Sequence, residues 1–268
     1  NDLETNSISP NQFVNIFYKT FNAFYKRGEQ LDLTEIYIMS INKFFEETHD
    51  SNFISKHQIT QDYTSNLKTL LQQKAVDIYN IQYKNSNSKL CDKLVGTEIQ
   101  EISCKNCNEK YHNIDTILWT TLNLSESITE SLQKEFQTKQ VLEWKCDKCK
   151  SSSGTRTIRF WKLPEIWPIV LNRFGKTKNN SGINIPKEIN LSKGIELQNE
   201  ECTKYELICI ANHHGTVNGG HYNCMCKEND EWVIYDDMNI IKINNEQTIK
   251  ILNNNRACYM LYYKRMHI

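Results

Sequence analysis

The chain reads as an α+β protein on three observations. Apolar residues recur at helical spacings up to about residue 47, short alternating or β-branched runs dominate from Gly96 onward, and two Cys-x-x-Cys pairs interrupt those runs. This pattern predicts helices first, then a metal-tipped antiparallel β subdomain, then a mostly antiparallel sheet.

In the helical part, Phe13, Ile16, Phe17 and Phe21 are followed by Leu31, Leu33, Ile36, Ile38, Met39, Ile41, Phe44 and Phe45, which predicts two helices broken near Gly28. Residues 49–88 are polar with apolar clusters at 67–71 and 75–83, which predicts one further helix and an Asn/Ser loop. Strand-like runs follow at 98–103, 116–124, 141–144 and 155–161, and after Leu163-Pro164 at 166–174, 205–211, 221–226, 232–235 and 258–263. The polar stretch 175–185 is expected to be an exposed loop, and it and the polar loop 214–219 are expected to be able to gate a neighbouring site. No internal repeat is present.

Composition narrows the function. With 39% hydrophobic and 24% charged residues the chain is that of a folded protein, and no run approaches the roughly 20 apolar residues that cross a bilayer, so no membrane partner is expected. Lys plus Arg and Asp plus Glu both number 32, giving no net charge, so the general attraction of a nucleic-acid binder is missing. The chain opens at Asn1 without Met and without a signal-peptide pattern, which reads as a fragment or processed product. Four of ten cysteines in knuckles favour metal binding in a reducing compartment, hence an intracellular protein, cytoplasmic or nuclear.

Cys104-Lys-Asn-Cys107 and Cys146-Asp-Lys-Cys149 each place two thiolates on a tight turn, and together supply the four corners of a structural Zn2+ site with no open position for catalysis. Lys105, Lys110, Lys145, Lys148 and Lys150 surround these knuckles, so a zinc-ribbon nucleic-acid module is one alternative; neutral overall charge favours solvated surface lysines instead. Downstream, Asn218-Gly219-Gly220-His221-Tyr222 precedes Trp232-Val233-Ile234-Tyr235-Asp236-Asp237. A histidine and a carboxylate on neighbouring strands are the base and orienter of a thiol or hydroxyl hydrolase, and glycines before the histidine let an extended substrate pass close by. A hydrogen-bonded core histidine is the competing reading.

These pieces, in this order, resemble the catalytic domain of a ubiquitin-specific protease. Ile8-Ser-Pro-Asn-Gln-Phe13 and Gln30-Leu-Asp-Leu-Thr-Glu35, running into residues 36–47, resemble the family's helix opening Gln-Gln-Asp-Ala-x-Glu-Phe, with Leu31 and Leu33 as departures. Trp161-Lys-Leu-Pro-Glu-Ile-Trp-Pro-Ile-Val-Leu-Asn-Arg-Phe174 resembles the strand after the fingers, residues 205–222 the histidine box, and 232–237 and 257–263 the closing strands. The resemblance implies a papain-like fold in one domain, with thumb helices at 1–95, zinc-binding fingers at 96–160 and a β palm at 161–268.

It also implies a deubiquitinating thiol protease acting on ubiquitin or ubiquitinated proteins, with His221 as general base and Asp236 as its orienter. Gly219, Gly220, Tyr222 and Asp237 are the expected substrate-side residues. The family's cysteine box has no counterpart in the chain, so the nucleophile is expected upstream. Cys258, in Asn255-Arg-Ala-Cys258-Tyr-Met260, resembles it only in text and begins an apolar strand. A non-catalytic relative that binds ubiquitin is the other alternative.

Overall fold

The computed structural model describes residues 11–141, 143–191 and 202–266. Residues 8–10 of the first resemblance motif lie outside these. The chain divides into two compact units at Phe44/Phe45.

In the first unit, α1 (Asn11–Thr20) buries Phe17, which packs against Phe21 and Tyr25 with ring centroids 4.9 and 6.1 Å away. The break falls at Gly28, whose φ of 86° is open to glycine without strain. Helix α2 (Leu33–Glu47) starts where the Asp32 carboxylate accepts the Thr34 backbone N–H at 2.8 Å, an N-cap that satisfies one of the orphan donors.

The second unit opens with two helices, α3 (Asn66–Tyr83) and α4 (Lys89–Leu94), the latter capped by the Ser88 hydroxyl. A four-stranded antiparallel sheet follows, ordered β2-β1-β5-β4, from β1 (Gly96–Cys104), β2 (Lys110–Ile117), β4 (Lys139–Val141) and β5 (Gly154–Lys162). Between β2 and β4 the chain leaves this sheet. There β3 (Thr120–Leu122) joins a larger sheet, and α5 (Ile128–Phe136) packs Ile128, Leu132 and Phe136 into that sheet's core. The sequence pattern did not predict α5: its polar surface leaves only a short apolar stripe, although Ser127 caps it through the Glu130 N–H.

Eight strands make the larger sheet, seven of them in the order β11-β10-β9-β8-β12-β6-β3 with β7 (Glu188–Asn190) beside β8. They include β6 (Ile166–Leu171), β8 (Lys204–Thr216), β9 (Gly219–Glu228), β10 (Glu231–Asp236), β11 (Asn239–Ile243) and β12 (Cys258–Arg265). All pairings are antiparallel except β3 with β6. Helix α6 (Asn245–Leu252), another element unseen in the sequence pattern, is set by a capping box between Asn244 and Gln247. Trp167, Leu171, Tyr205, Leu261 and Tyr263 form the centre of the core and are fully buried.

Two loop expectations are corrected. Residues 175–185 are not simply an exposed loop: Ile183 and Ile185 are buried in the core, and Ile183 bridges Asn255. The segment is held by Arg173, 1% exposed, whose Nη1 donates to the carbonyls of Asn179 and Ser181 at 2.9 Å each. Its Nη2 donates to the Asn255 carbonyl at 3.1 Å and its Nε to that of Cys258. Residues 214–219, expected as a polar loop able to gate the site, are instead the paired ends of β8 and β9, joined through Val217 and Asn218.

No helix among the described residues is long and apolar enough to cross a membrane.

Replacing Arg173 by Met takes a donor from four backbone carbonyls, two of them in buried hydrogen bonds. We expect a loss of about 3 kcal/mol or more of unfolding free energy, read from urea denaturation. Arg173→Lys is also expected to destabilise, because one ammonium cannot span the four acceptors that the planar guanidinium fork reaches.

Candidate active site and cysteine cluster

Antiparallel register places the histidine. β8 and β9 pair His214 with His221 and Asn212 with Asn223, while β9 and β10 pair Tyr235 with Cys224. This brings Asp236, at the end of β10, beside His221, and the Nε2 to Oδ1 distance is 2.5 Å. Nδ1 of His221 has no hydrogen-bond partner among the described residues. Side chains of His221 and Asp236 are 46% and 37% exposed, so the pair opens to solvent.

The hydrogen bond to Asp236 is the main reason the His221 pKa lies above its ordinary value, with the Asp237 charge adding to it. Reciprocally, the bond to His221 and a further one from Asn223 hold Asp236 below the usual carboxylate range. Asp237 takes a φ of 51° in the turn between β10 and β11, so its carboxylate stays near the imidazole without replacing Asp236. Asn223 was not singled out from the sequence, yet it lies two residues beyond His221 and so shares its face. Its amide oxygen accepts from Asn212 at 3.0 Å, tying the pair to the sheet interior. An open cleft of about 460 Å³ lined by Asn212, His214, Asn223, Met225 and Ile251 adjoins this face.

The glycines have a reason internal to the fold. A Cβ on Gly220 would lie 2.2 Å from the His214 carbonyl and 2.4 Å from the His213 ring, and one on Gly215 would meet Gly219 and Gly220 backbone within 2.5 Å. Gly219 has a φ of 151° at the turn. Tyr222 packs against His213 with ring centroids 4.7 Å apart and planes tilted by 51°, on the face opposite His221.

At the far end of the smaller sheet the four knuckle cysteines converge. Each knuckle closes the same way, with Asn108 N–H donating to the Cys104 carbonyl and Lys150 N–H to that of Cys146, at 3.0 and 2.9 Å. Asn108 and Lys150 take the matching left-handed φ values of 57° and 61°. Cys104 and Cys149 Sγ are 3.6 Å apart and Cys107 and Cys146 Sγ 3.7 Å apart, and all four lie within 4.8 Å of one another. A tetrahedron with metal–sulfur bonds of about 2.3 Å has edges of about 3.8 Å, so the donor set fits a four-coordinate metal ion. Tyr111 Oη lies 3.3 Å from Cys146 Sγ, and its hydrogen bond is the main cause drawing that thiol down to about 6.

A family model described as ubiquitin carboxyl-terminal hydrolase matches residues 1–263. The chain belongs to that family. Ubiquitin carboxyl-terminal hydrolase 9 of Arabidopsis thaliana is 34% identical over 132 residues, covering 46% of this chain and 14% of that protein. Ubiquitin carboxyl-terminal hydrolase 15 of Homo sapiens is 28% identical over 143 residues, covering 48% of this chain and 14% of that protein. Among solved structures, a SAGA DUB module of Ubp8, Sgf11, Sus1 and Sgf73 superposes with a TM-score of 0.72 at 20% identity, covering 98% of this chain and 56% of the matched one. The same module bound to ubiquitin aldehyde gives 0.58 at 21% identity, covering 75% of this chain and 48% of the matched one. This hydrolase-family chain therefore shares the fold of the solved structures and spans about half of their matched chains, and 14% of the two curated relatives.

Titration of the His221 ring by NMR is expected to give a pKa above about 6.5, and Asp236→Asn to lower it. The sign for stability follows: His221, raised on folding, contributes below its unfolded value and loses the contribution as pH rises through its folded pKa. Asp236, lowered, contributes above its unfolded value and loses it as pH falls. The pair's contribution is therefore greatest between about pH 4 and about pH 6.5, and a denaturation series against pH should show Asp236→Asn costing most there.

Proposed function

We propose that this chain forms part of a thiol-dependent ubiquitin carboxyl-terminal hydrolase, cleaving the peptide or isopeptide bond after ubiquitin's C-terminal glycine. The observation that carries this reading is the 2.5 Å bond from His221 Nε2 to Asp236, which leaves Nδ1 open, in a chain that the family model covers over 1–263. With Nε2 committed, Nδ1 is the atom that takes the proton of an attacking thiol and returns it to the leaving amine. Water then hydrolyses the thioester with His221 again as base. Asp236 fixes the ring's orientation and supports its positive charge. In this reading Gly219, Gly220 and Asp237 border the channel for the glycine tail, while Tyr222, expected beside them, packs against His213 on the opposite face.

The thiol comes from outside the described residues. None of the ten cysteines joins the His221, Asp236 and Asp237 cluster. Four converge in the knuckles, Cys91 and Cys258 are buried with desolvation pushing each to about 12, and Cys209, Cys224 and Cys226 gather elsewhere on β8 and β9.

Cys104, Cys107, Cys146 and Cys149 hold Zn2+, which ties the tips of the smaller sheet together and takes no part in the reaction. In this reading residues 1–95 are the thumb, 96–160 the fingers and 161–268 the palm, and ubiquitin or ubiquitinated proteins inside the cell are the partners.

Full-length protein treated with ubiquitin carrying a thiol-reactive C-terminus should give one adduct, on a cysteine other than these ten. His221→Ala should slow its turnover of ubiquitin conjugates roughly a hundredfold or more. An adduct on one of the ten, or ubiquitin bound without any adduct, would sink the hydrolase reading, the second result favouring a non-catalytic ubiquitin binder.

Titrating the thiols of the purified protein should release one Zn2+ per chain to a metallochromic dye. Cys146→Ser should abolish that release and lower the thermal midpoint.

A further inference from the structure

Of the six cysteines that neither the knuckles nor the His221 site uses, three lie together on β8 and β9. Cys209 on β8 and Cys226 on β9 are direct cross-strand partners, and their Sγ atoms are 2.9 Å apart. That is closer than either sulfur pair in the knuckles, at 3.6 and 3.7 Å. Cys224, two residues from Cys226 on the same strand face, has its Sγ 3.9 Å from that of Cys226. All three are half-buried on the face of the sheet opposite Met225, which lies in the core.

The backbone already suits a bond between the first two. Opposed residues of an antiparallel pair have Cα atoms about 4.5–5.5 Å apart, inside the range of about 4.4–6.8 Å that disulfides span. A side-chain rotation closes the remaining gap without moving either strand.

We propose that Cys209, Cys224 and Cys226 form a peroxide-oxidisable thiol site that closes a reversible Cys209–Cys226 disulfide. Hydrogen peroxide oxidises one thiol of the opposed pair to a sulfenic acid, releasing one water. The other thiol attacks that sulfur, forming the S–S bond and expelling a second water, so two thiols and one peroxide become one disulfide and two waters. Cys224 takes the proton of the attacking thiol and passes it to the departing hydroxide, which leaves as the second water. Hydrogen bonds from Cys209 and Cys226 hold Cys224 below the ordinary thiol value, whereas Cys209 lies above it for the same reason. Thiol reductants reverse the bond by exchange. The product joins β8 to β9, the strand that carries His221.

The test is mass mapping under non-reducing conditions after graded peroxide treatment of the purified full-length protein and alkylation of the remaining thiols. The expected result is one dominant cross-linked peptide pair, Cys209 with Cys226, cleared by dithiothreitol and missing from Cys209→Ser and Cys226→Ser variants whose circular dichroism matches wild type. Cys224→Ser should still cross-link, on the order of tenfold more slowly. The proposal is overturned if half-buried Cys202 is oxidised at peroxide doses that leave Cys209 and Cys226 unlinked. It is equally overturned if the trio is shielded by a tightly bound metal ion, seen as a second metal per chain. The readout needs no hydrolase activity, so its failure is distinguishable from failure of the reading above.

Discussion

One buried cation organises the larger sheet. Arg173 has no carboxylate partner among the described residues, and its desolvated guanidinium is offset by four backbone carbonyls. Burial draws its pKa down, as expected for a cation removed from water. Those carbonyls belong to the segment after β6 and to the entry into β12, so one side chain fixes how two distant stretches of sequence approach each other. From there order passes to the site. The Ala257 carbonyl accepts from His213 N–H at 2.8 Å, and Lys178 Nζ donates to the His213 carbonyl at 2.5 Å, pinning the strand that pairs with β9.

The His221–Asp236 pair inherits its geometry from this frame. Both side chains are largely solvated, so their attraction is screened and holds little of the fold together. What the frame provides is placement: the register of β8, β9 and β10 presents an imidazole with one nitrogen engaged and the other open. Gly215 and Gly220 permit the close strand approach that this register needs, since a side chain at either would collide with backbone or with His213. The cysteine cluster is the opposite case, a site whose four donors converge at the tip of the smaller sheet, where among the described residues no large apolar side chain is fully buried.

How legible the fold was depended on the range of the interaction involved. Helical spacing located α1 and α2, and the break at Gly28 follows from glycine's access to positive φ. Long apolar runs located β6, β8 and β12 because strands deep in a sheet bury both faces. Short elements such as α5, α6 and β11 were missed, since the two helices depend on their caps and the five-residue β11 on pairing with β10 rather than on a pattern of their own. The anchoring of residues 175–185 was hidden for the same reason: their polar sequence reads as loop, while Arg173 holds the carbonyls of Asn179 and Ser181 and the core takes up Ile183 and Ile185.

The sequence by itself determined the α+β class, the two cysteine knuckles and the candidacy of His221 and Asp236, because each depends on residue type at short spacing. Tertiary structure alone decided that Nε2 is the nitrogen engaged and that Asn223 joins His221 and Asp236. It alone also placed Cys209 against Cys226. Cross-strand register is a non-local quantity: it is set by twist, turns and the packing of the whole sheet, and a shift of one residue would turn every one of these side chains to the other face.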